Sequence, residues 1–82
     1  MKATFTPIFN RKNKLNKHGM APIEIRMYQD RQRRFISTGI NILPIQWDEK
    51  RLEINRKHKD FSLLNFQIKD LITKYESSQV EH

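Results

Sequence analysis

The sequence predicts an α+β domain: a three-stranded antiparallel sheet with one C-terminal helix packed on one face, in the order β-β-β-α. Three observations carry that prediction. Pro22–Gln29 (PIEIRMYQ) alternates apolar and polar residues, the period of a strand buried on one face. Gln32–Ile40 (QRRFISTGI) returns after a two-residue turn, Asp30–Arg31, as an antiparallel partner does. Phe61, Leu64, Ile68, Leu71, Ile72 and Tyr75 recur at helical spacing, and Asp60 ahead of them is a favoured N-cap residue.

Each element has its own signal. Ala3–Asn10 reads as the first strand, rich in β-branched and aromatic residues. Pro7 cannot donate to a ladder, which assigns this strand to a sheet edge. Asn10–Gly19 (NRKNKLNKHG) is polar and basic, an exposed loop closed by glycine. In the second strand Ile23, Ile25 and Met27 take one face, and Glu24, Arg26 and Tyr28 the other. The Asp30–Arg31 turn sets Gln29 opposite Gln32, Arg26 opposite Phe35 and Ile25 opposite Ile36. A slip of one residue would exchange the faces. Ile36 then joins the apolar side, while Arg33, Phe35 and Ser37 join Arg26 and Tyr28. Ile42–Trp47 reads as an irregular apolar connector in which Pro44 prevents a regular element. Asp48–Lys59 is charged and receives no element. The helix carries Gln67, Lys69, Lys74 and Glu76 on its other face. Residues 1–76 make the domain; 77–82 read as a polar frayed tail, a linker or a tag remnant. No internal repeat or low-complexity tract stands out.

Eighty-two residues make one domain with a thin core. The chain has no cysteine, which excludes a disulfide scaffold, a thiol nucleophile and a cysteine-ligated zinc site. Pro7 and Asn10 interrupt the only early apolar stretch, so no signal peptide is read. No apolar run approaches the roughly 20 residues of a membrane-spanning helix. The expectation is a soluble, cytoplasmic chain.

Charge is distributed unevenly. Residues 1–34 hold nine Lys or Arg against two acids, whereas residues 35–82 hold seven of each, so the net charge of +7 arises entirely in the first part. Such asymmetry orients a polyanion against one side of a small domain. The strand pattern divides the cations into two sets. Arg11, Lys12, Lys14 and Lys17 lie on the loop at the rim, suited to phosphates. Arg26 and Arg33 share the open face with Tyr28, Phe35 and Ser37, to which Gln32 is added, and Arg31 stands at the hairpin tip. A small sheet fits the major groove, where arginine reads guanine bidentately. Double-stranded DNA is one reading. Double-stranded RNA, gripped by helix and loop, is a second. A basic module for an acidic protein is a third, and a merely solvated surface is the bland alternative.

Nothing points to catalysis. His18, His58 and His82 lack metal-ligand spacing, and no cofactor motif is present. Asp48, Glu49 and Asp70 form no acid–base pair. Ser37-Thr38-Gly39 matches neither a nucleophile elbow nor a phosphate loop. The apolar helix stripe reads as core rather than a membrane or partner face.

NRKNKLNKHGMAPIEIRM, the hairpin and RFISTGINILPIQWDEK together resemble the N-terminal arm DNA-binding domain of tyrosine recombinases, the phage-type integrases and transposases of conjugative transposons and related bacterial mobile elements. The similarity rests on the basic loop ending at Gly19, Pro22-Ile23 opening a strand with Arg26, and Ser37-Thr38-Gly39-Ile40 followed by Pro44 and Gln46-Trp47-Asp48. It extends more weakly to Leu64-Asn65 and so covers nearly the whole chain. The resemblance implies an architecture akin to double-stranded-RNA-binding domains, with the sheet entering the DNA major groove at arm-type sites away from strand cutting. By position it implies sheet contacts from Arg26, Tyr28, Arg33 and Ser37, and backbone contacts from Arg11–Lys17. Two positions depart from the family pattern: the turn is Asp30-Arg31 rather than a glycine turn, and Phe35 stands where a polar residue is expected. A recombinase also needs an arginine–histidine–tyrosine catalytic domain, which 82 residues cannot hold. The implied partners are duplex DNA and the core-binding and catalytic domains of a parent recombinase. Tyr28 and Tyr75 are not its nucleophile.

Overall fold

A computed structural model describes residues 3–80, with side chains through Ser77. Strands β1 (Thr4–Phe9), β2 (Ala21–Gln29) and β3 (Gln32–Ile42) form one antiparallel sheet in the order β1-β2-β3, which leaves β1 at an edge as Pro7 requires. Helix α1 (Phe61–Val80) follows and packs against the sheet's apolar side. It runs into the stretch read as a tail; Glu81 and His82 lie outside the described residues.

The register of the hairpin is the expected one. Gln29 faces Gln32, Arg26 faces Phe35 and Ile25 faces Ile36. Asp30 (φ 52°) and Arg31 (φ 65°) are both left-handed, the type I′ turn whose twist matches paired strands. One irregularity was not legible in the sequence. Between Ile23 and Glu24 the pairing on β3 jumps from Ile40 to Ser37, so Thr38 and Gly39 are extruded as a bulge. Thr38 Oγ1 donates to the Ile23 carbonyl at 2.7 Å and accepts the Ile40 N–H at 3.1 Å, while Gly39 takes φ 76°. Two extra residues preserve parity, so Ile40 and Ile42 stay on the core face with Ile23 and Ala21.

Two expectations along 42–59 are corrected. Pro44 does not prevent a regular element: it opens a 3₁₀ turn, Pro44–Gln46, at a first-turn position where its missing N–H costs nothing. The charged stretch contains a second, two-stranded hairpin, β4 (Trp47–Asp48) with β5 (Glu53–Ile54). Its turn is shaped by Asp48, whose Oδ1 accepts the N–H groups of Lys50 and Arg51, both at 3.0 Å. Strands of two residues lie below the length at which alternation can be seen.

This small hairpin completes the core. Ile23, Ile42, Trp47, Ile54 and Ile68 form one buried cluster, flanked by Phe9, Ile40, Leu52, Phe61, Leu64 and Ile72. Asn65 on α1 clamps Ile54 through both its backbone groups, accepting the N–H at 2.8 Å and donating to the carbonyl at 2.9 Å. Phe61, Leu64, Ile68 and Ile72 of the helical stripe therefore join the core as their spacing predicts, whereas Leu71 lies outside the cluster and Tyr75 is exposed. Towards the other end Tyr75 stacks on Phe5 of β1, with ring centroids 6.3 Å apart. No described helix is long and apolar enough to cross a membrane.

Candidate nucleic-acid interface

The face of the sheet away from α1 is organised as three cross-strand rows. Thr4, Tyr28 and Arg33 form the row nearest the hairpin tip; Thr6, Arg26 and Phe35 form the middle one; Ile8, Glu24 and Ser37 form the third. Strand alternation alone puts these residues on one side, because side-chain period is two. Arg33, Ser37 and Tyr28 are exposed, Arg26 half-buried between its neighbours. Gln32 does not belong to this face: it pairs with Gln29 and lines a shallow cleft on the opposite side with Met27, Asp30 and Arg34.

The basic loop is shaped by asparagines. Asn10 (φ 54°) and Asn13 (φ 53°) adopt left-handed backbone, which asparagine tolerates better than most residues. Asn10 Oδ1 accepts the Lys14 N–H at 2.9 Å, and Asn16 Oδ1 accepts the N–H groups of His18 and Met20. Lys12 and Lys14 line a shallow cleft with Asn10, Pro22, Glu24 and Ser37, so the loop meets the third row of the sheet. Lys17 is exposed further along the loop, and Arg31 stands at the opposite end of the sheet, on the hairpin turn.

Arg11 sits differently from its loop neighbours. Its Nε and Nη2 reach both carboxylate oxygens of Glu24, at 3.0 and 3.3 Å, and its guanidinium lies 4.0 Å from the centroid of Phe35. The pair neutralises the acid of the open face, and the ring explains why an aromatic is tolerated at 39% exposure. Residue type gave no sign of this contact, because it joins positions 13 and 24 residues apart in the chain.

The open face thus carries Arg26 and Arg33 beside Tyr28 and Phe35, with Lys12 and Lys14 at its rim. The model of one family, described as arm DNA-binding domain, matches residues 8–82, and the chain belongs to that family, the N-terminal arm DNA-binding domains of tyrosine recombinases. The domain is thus a small, non-catalytic DNA-binding module. Comparison with curated proteins and with solved structures gave no significant match.

Proposed function

We propose that this domain lays its open sheet face in the major groove of duplex DNA and so anchors an integrase to arm-type sites during DNA integration and recombination. The observation that carries the reading is the row geometry: Arg26 and Arg33 stand on one face, Tyr28 and Phe35 beside them, with Lys12 and Lys14 at its rim. Three strands about 4.8 Å apart make a backbone sheet about 10 Å across. The major groove is about 12 Å wide, so the sheet fits it where a thicker layer would not. In this reading Arg26 and Arg33 meet base edges, Tyr28 and Ser37 contact sugars or bases, and Lys12, Lys14, Lys17 and Arg31 meet phosphates. Arg11 acts through Glu24 and Phe35, tying the third row to the middle one. The remaining core-binding and catalytic domains of the parent recombinase are the other partners.

Single substitutions test the division of labour. Arg26→Ala is expected to lower discrimination between cognate and mixed-sequence duplexes by about 1–3 kcal/mol, and Lys14→Ala to weaken both equally. Equal losses for the two variants, or preference for a matched RNA duplex in competition, would contradict major-groove readout.

A further inference from the structure

The chain contains a short recurrence that no whole-element repeat announces. Phe9-Asn10-Arg11-Lys12-Asn13-Lys14 is echoed by Ile54-Asn55-Arg56-Lys57-His58-Lys59, an apolar residue followed by Asn-Arg-Lys-x-Lys. Spacing alone makes this a coincidence of a basic protein. The backbone makes it more. Both segments leave a strand, β1 and β5, at the same point relative to the asparagine. In each, the asparagine N–H donates to a neighbouring carbonyl, Asn10 to Pro22 at 3.1 Å and Asn55 to Gln46 at 2.8 Å. In each, the asparagine carbonyl then accepts the N–H three residues on, from Asn13 at 3.0 Å and from His58 at 3.2 Å. The Arg-Lys pair therefore twice occupies the centre of a tight turn closed by the same backbone hydrogen bond.

Both turns also spring from one apolar anchor. Phe9 stacks on Trp47 with centroids 5.9 Å apart, and Ile54 is the direct cross-strand partner of Trp47. Phe9 and Ile54 belong to the same core cluster, so the two asparagines that follow them leave the same end of the molecule. The two turns differ in their asparagines, Asn10 being left-handed with its Oδ1 on the Lys14 N–H and Asn55 accepting the Lys57 N–H instead. They differ also in their cations: Arg11 is held by Glu24, whereas Arg56, Lys57 and Lys59 are exposed and have no ion pair among the described residues. His58 is occupied, its Nδ1 accepting the Asp60 N–H at 2.9 Å, which fixes the turn against the start of α1.

We infer that the turn Asn55–Lys59 is a second phosphate-contacting element, which grips the sugar–phosphate backbone of the same duplex that the sheet reads. The inference rests on the DNA-binding reading above and adds to it a site that the first-half charge excess conceals. Three cations without an acid within residues 55–59 make a local positive patch inside a half of the chain that is neutral as a whole. Such a patch binds without regard to base sequence and contributes through counterion release.

Anisotropy titration of a labelled mixed-sequence duplex over a range of salt tests it with the whole chain. Arg56→Gln/Lys57→Gln is expected to reduce the slope of log K against log salt by about 1.8, at roughly 0.9 per phosphate released. Lys69→Gln/Lys74→Gln removes the same charge from the exposed face of α1 and is expected to change the slope much less. Equal effects of the two pairs would reduce the turn to a share of net charge and overturn the inference. So would an unchanged slope for Arg56→Gln/Lys57→Gln while Lys12→Gln/Lys14→Gln still lowers it, an outcome that leaves the functional reading standing. A wild-type chain that binds no duplex overturns both.

Discussion

Glu24 is the acidic residue of the open face, and its carboxylate is matched by a single guanidinium, that of Arg11. The arrangement holds a long cation over the ring of Phe35, 4.0 Å from its centroid. Ion pairs open to solvent contribute little stability, about 0.2–1 kcal/mol, and with Arg11 on the solvent side and Glu24 half-buried this contact matters for position more than for folding. Glu24→Gln is therefore expected to leave the thermal midpoint nearly unchanged. It should strengthen duplex binding at low salt, because a repelling charge is lost and Arg11 is released to a phosphate, with the salt slope steeper by about 0.9. Weaker binding of Glu24→Gln would show instead that the pinned Arg11 is itself the DNA-contacting geometry. Arg31 shows a different economy at the same scale. A non-glycine residue at φ 65° carries a steric cost of about 1–2 kcal/mol, so Arg31→Gly is expected to stabilise the fold by about 1 kcal/mol in denaturant while weakening DNA binding.

Among the elements, the β4–β5 hairpin has the largest effect for its size. It supplies Trp47 and Ile54 to the core and carries the second basic turn at its exit. Its attachment to α1 runs through Asn65, whose amide satisfies both polar groups of a buried backbone position. Asn65→Ala strips two partners at once and leaves the Ile54 N–H and carbonyl without replacement. Unmade buried hydrogen bonds cost about 1–3 kcal/mol each, so a loss of roughly 2–4 kcal/mol is expected in urea unfolding. Asn65→Asp keeps one acceptor but loses the donor, and should fall between the two. The bulge at Thr38-Gly39 is a second such device. It leaves the outer rows of the sheet in register while turning Ile40 and Ile42 onto Trp47, which gives Ser37-Thr38-Gly39 a structural purpose where no catalytic motif is present.

The whole molecule places the groups of the proposed interface on and around a sheet face whose other side is closed by α1 and the small hairpin. The outward face of α1 also exposes Leu63 and Phe66, an apolar pair that helical periodicity assigned no place. Summed charge sets the salt response. Four phosphates met by Lys12, Lys14, Lys17 and Arg31 are expected to give a slope of about −3.6, and the second turn to bring it to about −5.4. A titration with a slope near zero would contradict every electrostatic reading of this surface.

Much of this was legible in the chain itself. Alternation in Pro22–Gln29, one turn, and the stripe from Phe61 to Tyr75 were enough to determine the strand order, the hairpin register and which face each residue of β2 takes. They determine these because side-chain parity and helical period are local properties, repeated often enough to be counted. The basic loop and the family pattern were legible for the same reason. Tertiary structure alone decided the rest. The pairing of Arg11 with Glu24 and Phe35, the clamp of Asn65 on Ile54, and the common anchor of the two Asn-Arg-Lys turns all join residues distant in sequence. No period marks such contacts, and each exists only because packing around Trp47 and across the sheet brings its partners within reach.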